Sequence, residues 1–385
     1  MARKISKRKK KKIFKTLSKH PFLSFIAFLL VCAIAVVYLH WNRTITLSFL
    51  SGFIPQKQEQ PTVLTDEELQ FHFIELGNKY SGDCTLVKVG NTEVLIDAGS
   101  RKNSAKSIVP YIKNYCTDGI LEYVVATHAH EDHIAGFVGL ADYDGVFESF
   151  ICETIIDYPL SESTSKIRSD YESLRDAEVA TGAKHYTALE CWNNANGAKR
   201  SYTLADGISM NILYQKYYEQ DASTENNYSV CLLFKQGAND YLFTGDLEES
   251  GEKSLVETRE NNLSACRLYK AGHHGSKTSS SSELLAMITP EIVCVSCCCG
   301  SAEYTDVNEN QFPTQAFIDR VSVYTTLVYV TTIVSNNQNG FESMNGNIVV
   351  GSKKGNITVK CSNNDTLLKD TAWFKANRIT PKNWQ

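Results

Sequence analysis

The sequence predicts a layered α/β domain behind a single N-terminal membrane helix. Short apolar strands arrive in hairpin clusters with helical segments between them, the element order that packs sheets against helices. Ahead of them, Pro21 to Leu39 holds no charged residue and follows a basic block. The 385 residues leave room for a tail and one large domain of about 250–300 residues, or two smaller ones; 43% hydrophobic and 21% charged residues are ordinary for a folded chain.

Residues 1–20 carry ten Lys or Arg and no acid, so a whole-chain charge of −4 leaves −14 on residues 21–385. Phe22–Tyr38 is almost wholly apolar. A helix over it and its flanks reaches about 30 Å at 1.5 Å per residue, enough to cross a hydrocarbon core. Basic residues stay on the cytoplasmic side, so residues 1–20 are expected as a cytoplasmic tail, 21–40 as a transmembrane signal-anchor, and everything after about Trp41 as extracytoplasmic. The block also suits an anionic inner leaflet. Ala33-Ile34-Ala35 offers a second reading, a signal-peptidase site that would release a secreted protein. The apolar run continues through Val36-Val37-Tyr38-Leu39, which favours the uncleaved anchor. Residues 41–66 then form a juxtamembrane linker ending in a polar, Gln- and Pro-containing stretch.

The folded part opens with strands at Phe71–Leu76, Cys84–Val89 and Thr92–Ile96, the last two joined as a hairpin by Gly90-Asn91. Ile108, Val109 and Ile112 mark a helix over 104–115, and Leu121–Ala126 is a strand. From 138 to 220 the signals weaken to a strand near Phe150–Cys152, a charged helix around Ser165–Thr181 and short strands to Leu213. A second hairpin pairs Val230–Phe234 with Tyr241–Thr244. Next come a strand at Arg267–Lys270, a helix at Ser282–Ile288 with Ser280 and Glu283 at capping-box spacing, and strands at 291–296 and 326–334. Thr325–Val334 is too short for a bilayer and reads as core.

Of twelve cysteines, Cys32 lies in the apolar span, leaving eleven, an odd number that cannot pair completely. Cys294-Val295-Ser296-Cys297-Cys298-Cys299 contains a CxxC spacing but no second pair to complete a thiolate zinc site. Its apolar setting favours cysteine as a small core side chain over a disulfide or a metal ligand.

His128, His130, Asp132 and His133 fall within six residues just after an apolar strand. Imidazole and carboxylate together suit zinc and neighbouring first-row ions. A local cluster cannot complete two sites, and the missing partners lie far along the chain: Asp246 in Thr-Gly-Asp and His273-His274 in Ala-Gly-His-His-Gly-Ser, each after a strand. Five of nine histidines and two carboxylates placed in this way outweigh an ordinary structural role. His20, His40, His72 and His185 stand outside the set.

This ordered set, HxHxDH, GD and HHGS with Leu95-Ile96-Asp97-Ala98-Gly99 ahead of it, resembles the metallo-β-lactamase superfamily. His-His-Gly-Ser-Lys-Thr-Ser-Ser, with Asn226-Asn227-Tyr228-Ser229-Val230 before the hairpin, looks most like the C-terminal hydrolase domain of ComEC-type DNA-uptake competence proteins. The resemblance covers roughly residues 68–335. It implies an αββα sandwich over 67–335, with 336–385 adding C-terminal strands, and two divalent ions, zinc or alternatively manganese. One ion would be held by His128 and His130, the second by Asp132, His133 and one of His273 and His274, with Asp246 bridging and Asp97 steadying the histidine loop. His273 is favoured as the ligand, leaving His274 to face substrate or to support. Asp132, Asp246 and His274 are the residues expected to carry the chemistry. Many relatives place a third histidine before the GD hairpin; here Asn226-Asn227 stand instead, so the first site is expected to be weaker, completed by water, or left empty.

Two ions about 3.5–4 Å apart can share a water and lower its pKa toward about 7 while polarising a phosphoryl or carbonyl oxygen. With no serine or cysteine nucleophile motif, direct attack by metal-bound hydroxide is the simplest mechanism. Ser276 and Lys277 are candidate substrate contacts, although Lys277 equally suits a solvated turn. The leading reading is a phosphodiesterase or nuclease. The resemblance favours nucleic acid, whereas the charge of −14 and the absence of a basic aromatic groove oppose it. A DNA-uptake role does not transfer with the fold. A second reading, a cell-surface hydrolase of a small ester, lactone or phosphocholine-type group, needs only a pocket. The third is a non-catalytic surface protein with a structural metal. Protease added to intact cells is expected to remove the domain and spare a short N-terminal stub; full protection would overturn this orientation.

Overall fold

The computed structural model describes residues 68–385; the expected tail, membrane span and linker lie outside the described residues. Among the described residues no helix is long and apolar enough to cross a membrane. Strands run in the order β1 (Leu69–Phe73), β2 (Thr85–Val89), β3 (Thr92–Ile96), β4 (Ile120–Val125), β5 (Ile151–Asp157) and β6 (Lys184–Thr187). They continue with β7 (Ser201–Ala205), β8 (Ile208–Leu213), β9 (Cys231–Gln236), β10 (Asn239–Phe243), β11 (Cys266–Lys270), β12 (Ile292–Cys299), β13 (Leu327–Val334), β14 (Phe341–Ser343), β15 (Ile348–Lys353) and β16 (Asn356–Cys361).

Two eight-stranded sheets result, ordered β16-β15-β1-β2-β3-β4-β5-β6 and β14-β13-β12-β11-β10-β9-β8-β7. Each begins as antiparallel hairpins and turns parallel, from β3 to β6 in one and from β10 to β13 in the other. Parallel neighbours require crossovers, which place helices on the outer faces and bury both sides of the strands. Hence β12 is buried along all eight residues, and its cysteines are free thiols packed as small apolar groups. Phe71, Phe234, Tyr241 and Phe243 meet between the sheets, with Phe71 5.4 Å from Phe234 and 5.5 Å from Phe243 by ring centre. Outside one sheet lie helices Ala105–Lys113 and Lys166–Thr181; outside the other, Ser282–Ile288 and Gln315–Val321 bring Leu284, Ile288, Phe317 and Val321 onto Leu242, Tyr269 and Val293. Helices, two sheets and helices thus stack as an αββα sandwich.

The expected C-terminal strands form as β15 and β16, and one expectation, the helix cap, changes. Residues 336–385 are built into the domain, because β15 covers the edge of β1 and β14 extends the other sheet; without β15, the buried strand bearing Phe71 would present an unpaired edge. The helix Ser282–Ile288 is capped by Ser281, whose hydroxyl accepts from Leu284 N at 3.3 Å, while Ser280 is left-handed (φ 57°) and forms no box with Glu283.

The buried Glu252 carboxylate completes that cap, accepting from Ser280 N at 2.6 Å and Ser281 N at 2.7 Å. Burial nevertheless pushes its pKa from 4.5 up to about 7. The folded state therefore holds the extra proton, and the associated stability is fully present below about pH 4.5 and lost as pH rises through about 7. Glu252→Gln is expected to flatten a decline of up to about 3 kcal/mol across that window in denaturant unfolding.

Candidate metal centre

The candidate ligands sit on loops that leave the same end of both sheets: Asp97 after β3, Thr127 to His133 after β4, Asp246 after β10, and His273-His274 after β11. Asp83, just ahead of the antiparallel β2, reaches the same end. The loops are held by backbone that few residues tolerate. Asp97 (φ 58°), His273 (φ 47°) and His274 (φ 55°) are left-handed without being glycine, a strain of about 1–3 kcal/mol each that the surrounding packing sustains. Gly245 (φ 55°) precedes Asp246, and a Cβ there would stand 2.9 Å from Ser229 Oγ and 3.0 Å from Thr127 Cβ.

The geometry centres on Asp246. His133 Nδ1 meets Asp97 Oδ2 at 2.7 Å, which turns Nε2 toward Asp246 Oδ2, 3.2 Å away. His274 repeats the arrangement from the other sheet: its Nδ1 donates to Ser296 O at 2.9 Å and lies 3.2 Å from Asp83 Oδ1, while Nε2 is 3.3 Å from both Asp246 Oδ2 and Asp132 Oδ2. Both Nε2 atoms are buried without a hydrogen-bond partner. Nitrogen lone pairs and carboxylate oxygens that crowd one point without bonding to each other are what a cation would satisfy, so the donor set fits a divalent metal. Asp97 also accepts from Thr127 N at 2.7 Å and Thr127 Oγ1 at 2.8 Å, which anchors the start of the histidine loop.

Beside this group, His128 Nε2 lies 3.0 Å from His130 Nδ1, and the His128 ring is 4.2 Å from that of His133. Burial, then His133 and His130, hold the His128 pKa well below its ordinary value, which keeps the imidazole neutral as a ligand must be. Burial disfavours charge on Asp246, yet His133, His274 and His273 together hold its carboxyl far below the usual range. Asn226 donates to Glu248 Oε1 at 3.2 Å, and its Oδ1 is buried without a partner.

Of the adjacent pair, His274 enters the cluster, the opposite order from the sequence expectation. His273 is 20% exposed, 3.8 Å from Asp246 Oδ2 and 3.2 Å from Thr278 Oγ1. Ser276 is buried against Thr278 at 3.1 Å, and Lys277 points outward to Asn310 at 3.1 Å. His72 bonds Tyr111 in the core and His185 pairs with Asp157, both away from the cluster.

Sequence reasoning missed Asp83 and Lys270. The buried Lys270 ammonium pairs with Asp83 Oδ2 and stands 3.9 Å from Asp246 Oδ1. Asp83 lies within 4.8 Å of the other donors; one oxygen pairs with Lys270, while Oδ1 is buried 3.2 Å from a His274 Nδ1 that already donates to Ser296 O, and has no hydrogen-bond partner. The available signals were the Gly82-Asp83 turn ahead of β2 and a buried charge ending β11 directly before Ala271-Gly272-His273-His274.

The sequence model of the metallo-beta-lactamase superfamily matches residues 77–146. Among curated proteins it is similar to competence protein ComA of Neisseria gonorrhoeae, 27% identical over 301 residues covering 77% of this chain and 36% of that protein. It is also similar to recombination protein 2 of Haemophilus influenzae, 26% identical over 259 residues covering 66% of this chain and 26% of that protein. The chain thus spans about a third or less of these relatives' length. Among solved structures, the metallo-beta-lactamase fold protein YhfI from Bacillus subtilis is similar at 11% identity and a TM-score of 0.39, covering 71% of this chain and 98% of that one.

Asp97→Asn keeps the shape but supplies an amide where His133 needs an acceptor. It is expected to weaken metal affinity about 10- to 100-fold, read by competition with a chromogenic chelator.

Proposed function

We propose that the protein is a metal-dependent hydrolase acting on a phosphodiester. The observation that carries this reading is the convergence of two braced imidazoles, His133 and His274, on Asp246 beside Asp132. His133, His274, Asp132 and Asp246 would hold one ion; His128 and His130 would hold a second, with Asp246 between the two. Divalent ions there supply Lewis acidity toward a phosphoryl or carbonyl oxygen and acidify water.

The chain's own residues do the rest. Asp97 and the Ser296 carbonyl fix the rings, so little reorganisation is required as charge develops. Lys270 offsets part of the negative charge of the clustered carboxylates, which restrains their mutual repulsion. His273, the most exposed histidine of the pair, stands between Asp246 and Glu248 (3.8 and 3.9 Å), where it can pass a proton between the cluster and solvent. The similarity to competence proteins supports a phosphodiester substrate. A small ester or lactone is the second reading, favoured by the acidic residues 21–385, which disfavour a long polyanion. In either case the domain is proposed to lie outside the membrane, tethered by residues 21–40.

The full-length chain in mild detergent with zinc or manganese is expected to turn over bis-p-nitrophenyl phosphate. Single-stranded DNA and a lactone as parallel substrates separate the two readings. Metal-loaded protein that turns over none of the three contradicts both. Asp246→Asn is expected to abolish turnover and lower metal content; unchanged activity would remove Asp246 from its bridging role.

A further inference from the structure

The loop after β12 brings Tyr304 over the cluster. Its residue is 56% exposed, yet its hydroxyl reaches inward and donates to Asp132 Oδ2 at 2.9 Å, the same oxygen that stands 3.3 Å from His274 Nε2. An exposed aromatic ring with its polar end inside a buried cluster is not there for core packing. The loop is pinned on both sides of the ring. Glu303 accepts from Ser81 N at 2.9 Å and from Arg101 Nη2 at 2.8 Å, and Arg101 itself lies over the Tyr80 ring at 4.3 Å. On the other side, the Tyr304 ring is 5.6 Å from Phe312, which packs against His273 at 5.6 Å and His274 at 5.8 Å.

Building on the hydrolase reading, we infer that Tyr304 is a substrate-orienting residue. Its hydroxyl moves its hydrogen bond from Asp132 Oδ2 to an anionic oxygen of a bound phosphoryl group, with the Tyr304 and Phe312 rings walling one side of the approach. The pinned loop allows this with rotation of the side chain alone. The hydroxyl waits within hydrogen-bond reach of the cluster, and Asp132 Oδ2 keeps His274 Nε2 at 3.3 Å when it leaves. No bond is made or broken in this step; a hydrogen bond is exchanged.

The test uses the full-length chain loaded with manganese, inorganic phosphate as probe by isothermal titration, and bis-p-nitrophenyl phosphate kinetics. Tyr304→Phe keeps the ring and is expected to retain wild-type metal content, bind phosphate about tenfold or more weakly, and show a raised KM. Phosphate affinity and KM equal to wild type would overturn the proposal. So would lost metal with unchanged KM, since that marks a residue that only holds Asp132. Wild-type protein that holds metal but neither binds phosphate nor hydrolyses any ester contradicts the hydrolase reading itself, and this proposal falls with it.

Discussion

The site depends on two buried contacts at imidazole Nδ1, the Asp97 carboxylate with His133 and the Ser296 carbonyl with His274. Each occupies the Nδ1 side of its ring and so turns Nε2 toward Asp246 Oδ2. One brace comes from the end of β3, the other from β12 in the second sheet, and the rings they steer belong to different sheets. The αββα architecture therefore has a chemical purpose at this end of the molecule: it holds two rings from two sheets at a common point without a covalent link. The left-handed residues Asp97, His273 and His274 lie where that convergence bends the chain most sharply.

Charge sets the second constraint. Asp83, Asp97, Asp132 and Asp246 are all buried within one small region, and Lys270 is the buried lysine among them. Carboxylates gathered at this density repel one another unless cations balance them, and Lys270 with the imidazoles of His133 and His274 supplies that balance in part. A buried lysine is costly in isolation; here it belongs to the site's electrostatics.

The sequence showed much of this. Apolar runs flanked by turns located β3, β10 and the helix Ser282–Ile288 nearly to the residue, because hairpins and capped helices carry their signals locally. The histidine loop was legible for the same reason: HxHxDH is a local pattern. What stayed hidden is non-local. Asp83 is one carboxylate before one strand, and only the sheet's closure brings it to His274. Tyr304 lies on a loop without periodicity. The order within His273-His274 depends on which ring meets the carbonyl of Ser296 on β12, a contact across 22 residues that spacing does not encode. Likewise β15 pairs with β1 across almost the whole domain, so its sequence reads as an edge strand when it is an interior one.

The most direct test of this account is diffraction from crystals of metal-loaded protein, with anomalous data collected on both sides of the zinc or manganese absorption edge. The account predicts an anomalous peak within coordination distance of His133 Nε2, His274 Nε2 and Asp246 Oδ2, with Asp83 still paired to Lys270. Metal-loaded crystals with no peak there, or with a peak ligated by Asp83 in place of His274, would contradict it.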